Sequence, residues 1–121
     1  MRREVLEFDP RTVGDAVVLT VRGEVDIANK GRMHTALERA MDDAERAVVV
    51  DLSNVRFMDS TGLALMLNAA RRLTRRRVGF AIACPDGPVR RAFDVTGLDE
   101  CFKITDGVDD ALAGAQPAFS G

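Results

Sequence analysis

The feature that most constrains the fold is a junction near the middle of the chain, where a strand pattern gives way to a helical one. Residues 47–50 (Ala-Val-Val-Val) form a β-branched block typical of a buried strand, which we extend to residues 47–52. The chain then crosses a short loop and enters a helix at residues 59–61. In an open α/β sheet, sites tend to be built at this carboxyl edge. The predicted helix has one apolar face, formed by Leu63, Met66, Leu67, Ala70 and Leu73.

Strand and helix patterns alternate on both sides of this junction. Residues 14–15 (Gly-Asp) are a turn signal between the first two strands, which predicts an antiparallel pair. Later strands connected through helices predict parallel pairing. The expected fold class is α/β, a mixed sheet of about five strands packed with about four helices, as a single domain over residues 1–121. The predicted strands cover residues 5–8 (ended by Asp9-Pro10), 16–21, 47–52, 78–84 and 101–104. The predicted helices run from after Asp26 to about Asp43, from Thr61 to about Arg75, from residues 86–88 to Gly97, and over residues 108–112.

Composition and charge narrow the class of protein. At 121 residues, with 46% hydrophobic and 30% charged residues, the chain has the material for one core. A formal net charge of -2 predicts neither a nucleic-acid nor a membrane partner. No apolar run is long enough to span a bilayer and the first residues do not resemble a signal peptide, so we expect a cytoplasmic protein. One basic cluster is predicted to be a solvated helix end, with a patch for an acidic partner as the alternative: Arg71, Arg72, Arg75, Arg76 and Arg77.

The usual signatures of catalysis and cofactor binding are missing from the sequence. Cys84 and Cys101 lie outside any Cys-x-x-Cys motif and His34 is remote from both, so we expect two reduced, buried thiols rather than a metal or redox site. The dispersed glycines form no phosphate-binding motif. A single histidine in a predicted helix supports no Ser-His-Asp arrangement. We therefore expect no enzyme activity, cofactor or metal.

Ser60, at the start of the central helix, has two interpretations. A serine at this position commonly acts as the N-cap, its hydroxyl accepting a hydrogen bond from an amide of the first turn. Leu63 stands where a capping box would have Glu or Gln. The alternative is a hydroxyl exposed on the turn and presented to a protein kinase. Residue type alone favours the cap.

Three strings of the sequence together point to a known family. Residues 50–53 (Val-Asp-Leu-Ser) and 57–63 (Phe-Met-Asp-Ser-Thr-Gly-Leu) resemble the signature of the STAS domain (sulfate transporter and anti-sigma antagonist). Residues 21–26 (Val-Arg-Gly-Glu-Val-Asp) are similar to the Gly-Glu-Leu-Asp element of the same family. The resemblance covers about residues 4–113 and implies a compact STAS-type α/β fold. Residues 114–121 contain Gly and Pro without periodicity, so we expect them to be a frayed tail.

Within the family, the chain most resembles the free-standing bacterial anti-anti-sigma factors. The resemblance implies a non-enzymatic regulator of transcription that binds an anti-sigma factor and releases a sigma factor. It further implies that this partner is a serine kinase that phosphorylates Ser60, and that a serine phosphatase reverses the modification. The partner-binding residues implied by the motifs are Asp26, Asp59, Ser60, Thr61 and Gly62.

Two alternatives remain open on the sequence. The first is a STAS subunit of a stressosome or of a lipid-transport ATPase complex, where the same surface makes a lasting contact. The second is a receiver-like or nucleotide-binding domain, with Asp51 as phosphoacceptor at the end of a central strand. A receiver needs an acidic pair for Mg²⁺ and a lysine after a late strand. Glu24, Asp26 and Lys103 fit those roles poorly, because they fall within predicted strands or at the end of a hairpin strand.

Overall fold

The computed structural model describes residues 6–115, which form one five-stranded sheet with four α-helices and a short 3₁₀ turn. The predicted α/β class is confirmed. The strands are β1 (Glu7–Val13), β2 (Ala16–Val25), β3 (Ala47–Met58), β4 (Gly79–Ala83) and β5 (Lys103–Thr105). The helices are α1 (Lys30–Asp43), α2 (Ser60–Arg75), α3 (Pro88–Thr96) and α4 (Val108–Gly114), and the 3₁₀ turn is Leu98–Glu100.

The strands lie in the sheet in sequence order, β1-β2-β3-β4-β5. As predicted, β1 and β2 are antiparallel, and Gly14 in the turn between them has φ 59°, a left-handed conformation that glycine adopts without strain. The remaining pairs are parallel. Each parallel connection passes through a helix, so the carboxyl ends of β2, β3 and β4 meet at one edge of the sheet.

The core lies mainly on one face of the sheet. Helices α1, α2 and α3 pack there against Leu19, Val50 and Ile82, one from each central strand. On the other face α4 packs through Ala111 against Val49 and neighbouring small residues. Because the central strands are buried on both faces, they read in the sequence as continuous apolar runs.

Strand β1 is longer than predicted. The sequence suggested that Asp9-Pro10 ends it, but the strand continues to Val13, and Pro10 pairs with Leu19. The prediction was wrong because β1 is an edge strand, where a residue without an N–H is tolerated. Val5, also assigned to this strand, lies outside the described residues.

Strand β3 is also longer than predicted, and it absorbs the expected central loop. The strand was expected to end at Leu52, but it continues to Met58 alongside the second half of β2. Two register shifts, between Thr20 and Arg22 and between Gly23 and Glu24, interrupt the pairing. These irregularities break the alternation of apolar and polar residues, so the extension looked like a loop in the sequence.

The apolar face of α2 is rotated slightly from the predicted one. Met66, Ala69 and Leu73 are buried, whereas Leu67 is only half-buried. At the end of α3, Gly97 has φ 78° and ends the helix as predicted.

Candidate functional site

The two elements predicted to form the site meet at the carboxyl edge of the sheet. Val25, at the end of β2, is paired with Met58, at the end of β3. Beyond this pair, the Asp59 amide donates a hydrogen bond to the Val25 carbonyl oxygen at 3.1 Å. Asp26 and Ser60 therefore extend from neighbouring points of the same edge.

Asp59, rather than Ser60, is the N-cap of α2. Its backbone is extended (φ -86°, ψ -175°), and its Oδ1 accepts hydrogen bonds from the amides of Thr61 at 2.9 Å and Gly62 at 3.3 Å. The interpretation of Ser60 as the cap was wrong by one residue. Ser60 is the first helical residue and is exposed, so its hydroxyl is not needed to hold the helix.

Asp26 organises the turn that leads from β2 into α1. Its Oδ1 accepts hydrogen bonds from the amides of Ala28 at 2.9 Å and Asn29 at 3.1 Å. In return, the Asp26 amide donates to Asn29 Oδ1 at 2.9 Å, and Asn29 Nδ2 donates to the Glu24 carbonyl oxygen at 2.9 Å. The half-buried Asp26 thus supports the local backbone as well as lying beside the candidate site.

Thr61 and Gly62 occupy different depths at the start of α2. Thr61 is half-buried, whereas Gly62 is buried against the two paired strand ends. A Cβ at position 62 would lie 2.4 Å from Met58 Cγ and 3.1 Å from Val25 Cγ1. Gly62 therefore lets the helix approach the sheet closely, and this packing fixes the place of Ser60. Direct contact of Gly62 with a partner stays a prediction.

Two exposed apolar residues flank the site and were not singled out from the sequence. Ile27, next to Asp26, is 69% exposed, and Phe57, two residues before Asp59, is 48% exposed. Both lie within two residues of the paired Val25 and Met58. Both could have been found from the sequence, because they are apolar residues at positions predicted to lie in a turn and a loop. Exposed large apolar residues beside a polar cluster are typical of docking surfaces.

The position of Asp51 in the structure argues against a receiver-like domain. Asp51 lies inside β3 rather than at its end, and its Oδ1 accepts hydrogen bonds from the Ser53 amide at 3.0 Å and the Ser53 hydroxyl at 2.6 Å. Thr20 also lies within 3.5 Å of Asp51 Oδ2. Asp51 is thus occupied by local contacts. Within residues 6–115, no group of three or more His, Cys, Asp or Glu side chains could hold a metal ion.

Two other residues considered in the sequence analysis, Arg72 and His34, contact the same residue of α1. Arg72 forms a two-pronged hydrogen bond with Glu38 of α1, and His34 Nε2 lies 3.3 Å from Glu38 Oε1. The hydrogen bond from Arg72 lowers the pKa of the Glu38 carboxyl.

Both cysteines are free; Cys84 is buried, and desolvation raises the pKa of its thiol to about 11, while Cys101 is half-buried. In the part of the chain described here, no helix is both long and apolar enough to cross a bilayer.

Comparison with known proteins identifies the family. The model of the STAS domain matches residues 7–111, nearly the whole of the described structure. The chain belongs to the STAS domain family. The match covers the end of β2, the end of β3 and the start of α2, so the edge that carries Ser60 lies within it.

Several proteins similar to this chain are named as anti-sigma factor antagonists. The chain is 30% identical over 108 residues to the anti-sigma-F factor antagonist RsfB of Mycobacterium tuberculosis, covering 87% of this chain and 88% of that protein. It is 29% identical over 104 residues to the anti-sigma-B factor antagonist of Staphylococcus aureus, with coverages of 86% and 96%. A crystal structure of an anti-sigma factor antagonist from Mycobacterium paratuberculosis superposes with a TM-score of 0.84 at 28% identity, covering 90% of this chain and 92% of that one. These comparisons confirm the family resemblance drawn from the three sequence strings.

Proposed function

We propose that this protein is an anti-sigma factor antagonist that binds an anti-sigma factor with serine kinase activity and thereby releases a sigma factor in the cytoplasm. Phosphorylation of Ser60 by that kinase ends the complex, and a serine phosphatase restores it. The observation that carries the proposal is an exposed serine, Ser60, at a helix start that Asp59 already caps. The names of the similar proteins support the class of partner.

The surface that meets the partner is expected to combine apolar contact with polar specificity. We use the name Ser60 surface for the set Asp26, Ile27, Phe57, Asp59, Ser60 and Thr61. Ile27 and Phe57 provide the exposed apolar area, which is what the centre of a protein interface needs. The carboxylates and hydroxyls around them fix orientation. The six residues lie at the end of β3, in the turn after β2, or at the start of α2, next to the paired ends of the two strands.

A phosphate at Ser60 would affect the interface more than the fold. It adds a charge of about −1.5 to −2 near neutral pH. The first turn of α2 tolerates that charge, because the amides and the dipole of a helix N-terminus favour an anion. At the docking surface the same group adds bulk and negative charge next to Asp59 and near Asp26, and it would have to be desolvated on binding. The protein is therefore expected to stay folded while the complex dissociates.

Mapping of the modified residue tests the proposal. The Ser60→Ala protein, which cannot be modified at Ser60 and so should retain its partner, is used to isolate the kinase from native cells, and wild type is then incubated with that kinase and ATP. Phosphopeptide mapping should find one modified residue, Ser60. Ser53→Ala is the matched control, because Ser53 is also exposed but lies inside β3, and it should be labelled like wild type. Labelling of Thr61 instead of Ser60, or no labelling of wild type, would contradict the proposed switch.

A further inference from the structure

Asn29 lies at the N-cap position of α1, but its side chain does not cap the helix. Its backbone carbonyl oxygen accepts hydrogen bonds from the amides of Arg32 at 3.0 Å and Met33 at 3.3 Å, whereas its side chain accepts none from the first turn. Asparagine is among the best N-cap residues, because its side-chain oxygen can accept such a hydrogen bond. The Asn29 side chain therefore has another role.

The Asn29 side chain instead connects the turn after β2 to the strand itself. Its Oδ1 accepts a hydrogen bond from the Asp26 amide at 2.9 Å, and its Nδ2 donates to the Glu24 carbonyl oxygen at 2.9 Å. Glu24 lies within the last two residues of β2, and Asp26 directly follows the strand. These contacts need an acceptor and a donor at the end of one short side chain, which an amide provides. An aspartate at position 29 would keep the acceptor and lose the donor.

Residues 26–29 form a tight turn with Ile27 and Ala28 at its tip. The Asn29 amide donates a hydrogen bond to the Asp26 carbonyl oxygen at 3.2 Å. The amides of Ala28 and Asn29 also donate to Asp26 Oδ1, at 2.9 Å and 3.1 Å. Ile27 is 69% exposed on this turn. The hydrogen bonds thus order the backbone that presents an exposed apolar residue of the Ser60 surface.

We propose that Asn29 is a positioning residue for partner binding: it sets the affinity for the anti-sigma factor by holding the turn that presents Ile27, without touching the partner itself. This inference rests on the proposed function, since it takes the Ser60 surface as the docking surface. A turn that is already ordered loses little conformational entropy when Ile27 is buried, whereas a loosened turn must be ordered on binding. Ile27 and Ala28 are exposed and lie outside the core, so loosening the turn costs affinity more than it costs folding stability.

A double-mutant cycle tests whether Asn29 acts through Ile27. Titration calorimetry measures the affinity of wild type, Asn29→Ala, Ile27→Ala and the double variant for the kinase partner isolated as above. Asn29→Ala should weaken binding about fivefold, the size expected for the loss of a typical hydrogen bond. In the Ile27→Ala protein the same change should weaken binding by less than about twofold, because no large apolar side chain is left to position. Additive losses, or wild-type affinity in Ile27→Ala, would overturn the proposal.

Two further variants separate positioning from helix capping. Asp caps a helix as well as Asn does, so a capping role predicts wild-type affinity for Asn29→Asp, whereas a positioning role predicts weaker binding because the donor to Glu24 is lost. Asn68→Ala, a change to alanine at an exposed position of α2, should bind like wild type. The melting temperatures of both Asn29 variants should stay within about 5 °C of wild type. Wild-type affinity in Asn29→Asp, equal weakening in Asn68→Ala, or a much larger fall in melting temperature would contradict the positioning role.

Amide hydrogen exchange, followed by NMR on the full chain without a partner, distinguishes this inference from the proposed function. The acceptor of the Ala28 amide is Asp26 Oδ1, which Asn29→Ala leaves in place. Faster exchange at Ala28 in that variant therefore reports loosening of the turn, and we expect an increase of about fivefold. The buried Met66 of α2 should exchange as in wild type. Unchanged exchange at Ala28 would overturn the positioning role, whereas failure of wild type to bind an anti-sigma factor would contradict the proposed function.

Discussion

Two neighbouring residues divide two roles at the start of α2. Asp59 caps the first turn by accepting hydrogen bonds from the Thr61 and Gly62 amides, and Ser60, which does not serve as the cap, is exposed. The sequence located the helix start to within one residue. It could not separate the two roles, since Asp and Ser are equally good N-caps, and only the extended backbone of Asp59 decides between them.

The division of roles predicts opposite results for substitutions at the two positions. Asp59→Ala should lower the free energy of unfolding by about 1 kcal/mol, the usual cost of losing an N-cap, and Asp59→Asn should recover most of it. Ser60→Ala should change the free energy of unfolding by less than about 0.5 kcal/mol, as for an ordinary surface substitution. Urea denaturation of the three variants measures both effects. If Ser60→Ala lowered the free energy of unfolding more than Asp59→Ala does, Ser60 rather than Asp59 would be the N-cap.

Gly62 and Gly31 form a matched pair, since both are helical glycines in different surroundings. Gly62→Ala should destabilise the protein by about 1–3 kcal/mol, because the new methyl meets Met58 Cγ at 2.4 Å and Val25 Cγ1 at 3.1 Å. Gly31→Ala meets nothing within 4 Å, and should be neutral or stabilise by up to about 1 kcal/mol. Thermal melts of both variants check this. A stabilised Gly62→Ala protein would show that the helix does not approach the sheet so closely.

At the scale of elements, the strong patterns predicted the structure well and the interrupted ones did not. The apolar spacing of α1 and α2 and the β-branched run of β3 gave the right element types in the right order. The second half of β3 was missed because Ser53 and Asn54 are exposed and the register shifts beside them break the alternation. The exposed Ile27 and Phe57 were overlooked at the site, because one sequence does not show which apolar residues a turn or a strand end leaves exposed.

The observed face of α2 makes its own prediction. Met66 is fully buried, so Met66→Ala should lower the free energy of unfolding by about 2–5 kcal/mol through lost contacts and a cavity. Leu67→Ala, one position along, should cost clearly less because Leu67 is only half-buried. The predicted apolar face would bury Leu67 and make Leu67→Asp unfold the domain, but because Leu67 is only half-buried, this variant should stay folded and be weakened. Chemical denaturation of the three variants gives the ranking; equal costs for Met66→Ala and Leu67→Ala would contradict the observed face.

At the scale of the whole molecule, the sheet connects a buried core to the edge that carries the Ser60 surface. Cys84 reports on that core, since burial raises the pKa of its thiol to about 11 and keeps it protonated near neutral pH. A thiol reagent at about pH 8 should label the half-buried Cys101 first and Cys84 only as the protein unfolds. Peptide mapping after timed labelling separates the two thiols. Equal labelling rates in the native state would mean that the core opens more readily than its packing implies.

The most direct test of the central claim is to measure partner binding and folding stability on the same sample of protein phosphorylated at Ser60. Titration calorimetry against the purified kinase partner gives the dissociation constant, and a thermal scan gives the melting temperature. We expect binding at least about tenfold weaker than that of the unmodified protein, because a charged phosphate enters the interface. The melting temperature should change by less than about 2 °C, since the helix N-terminus accommodates the charge. Unchanged affinity, or weaker binding accompanied by unfolding, would contradict a switch that acts at the Ser60 surface.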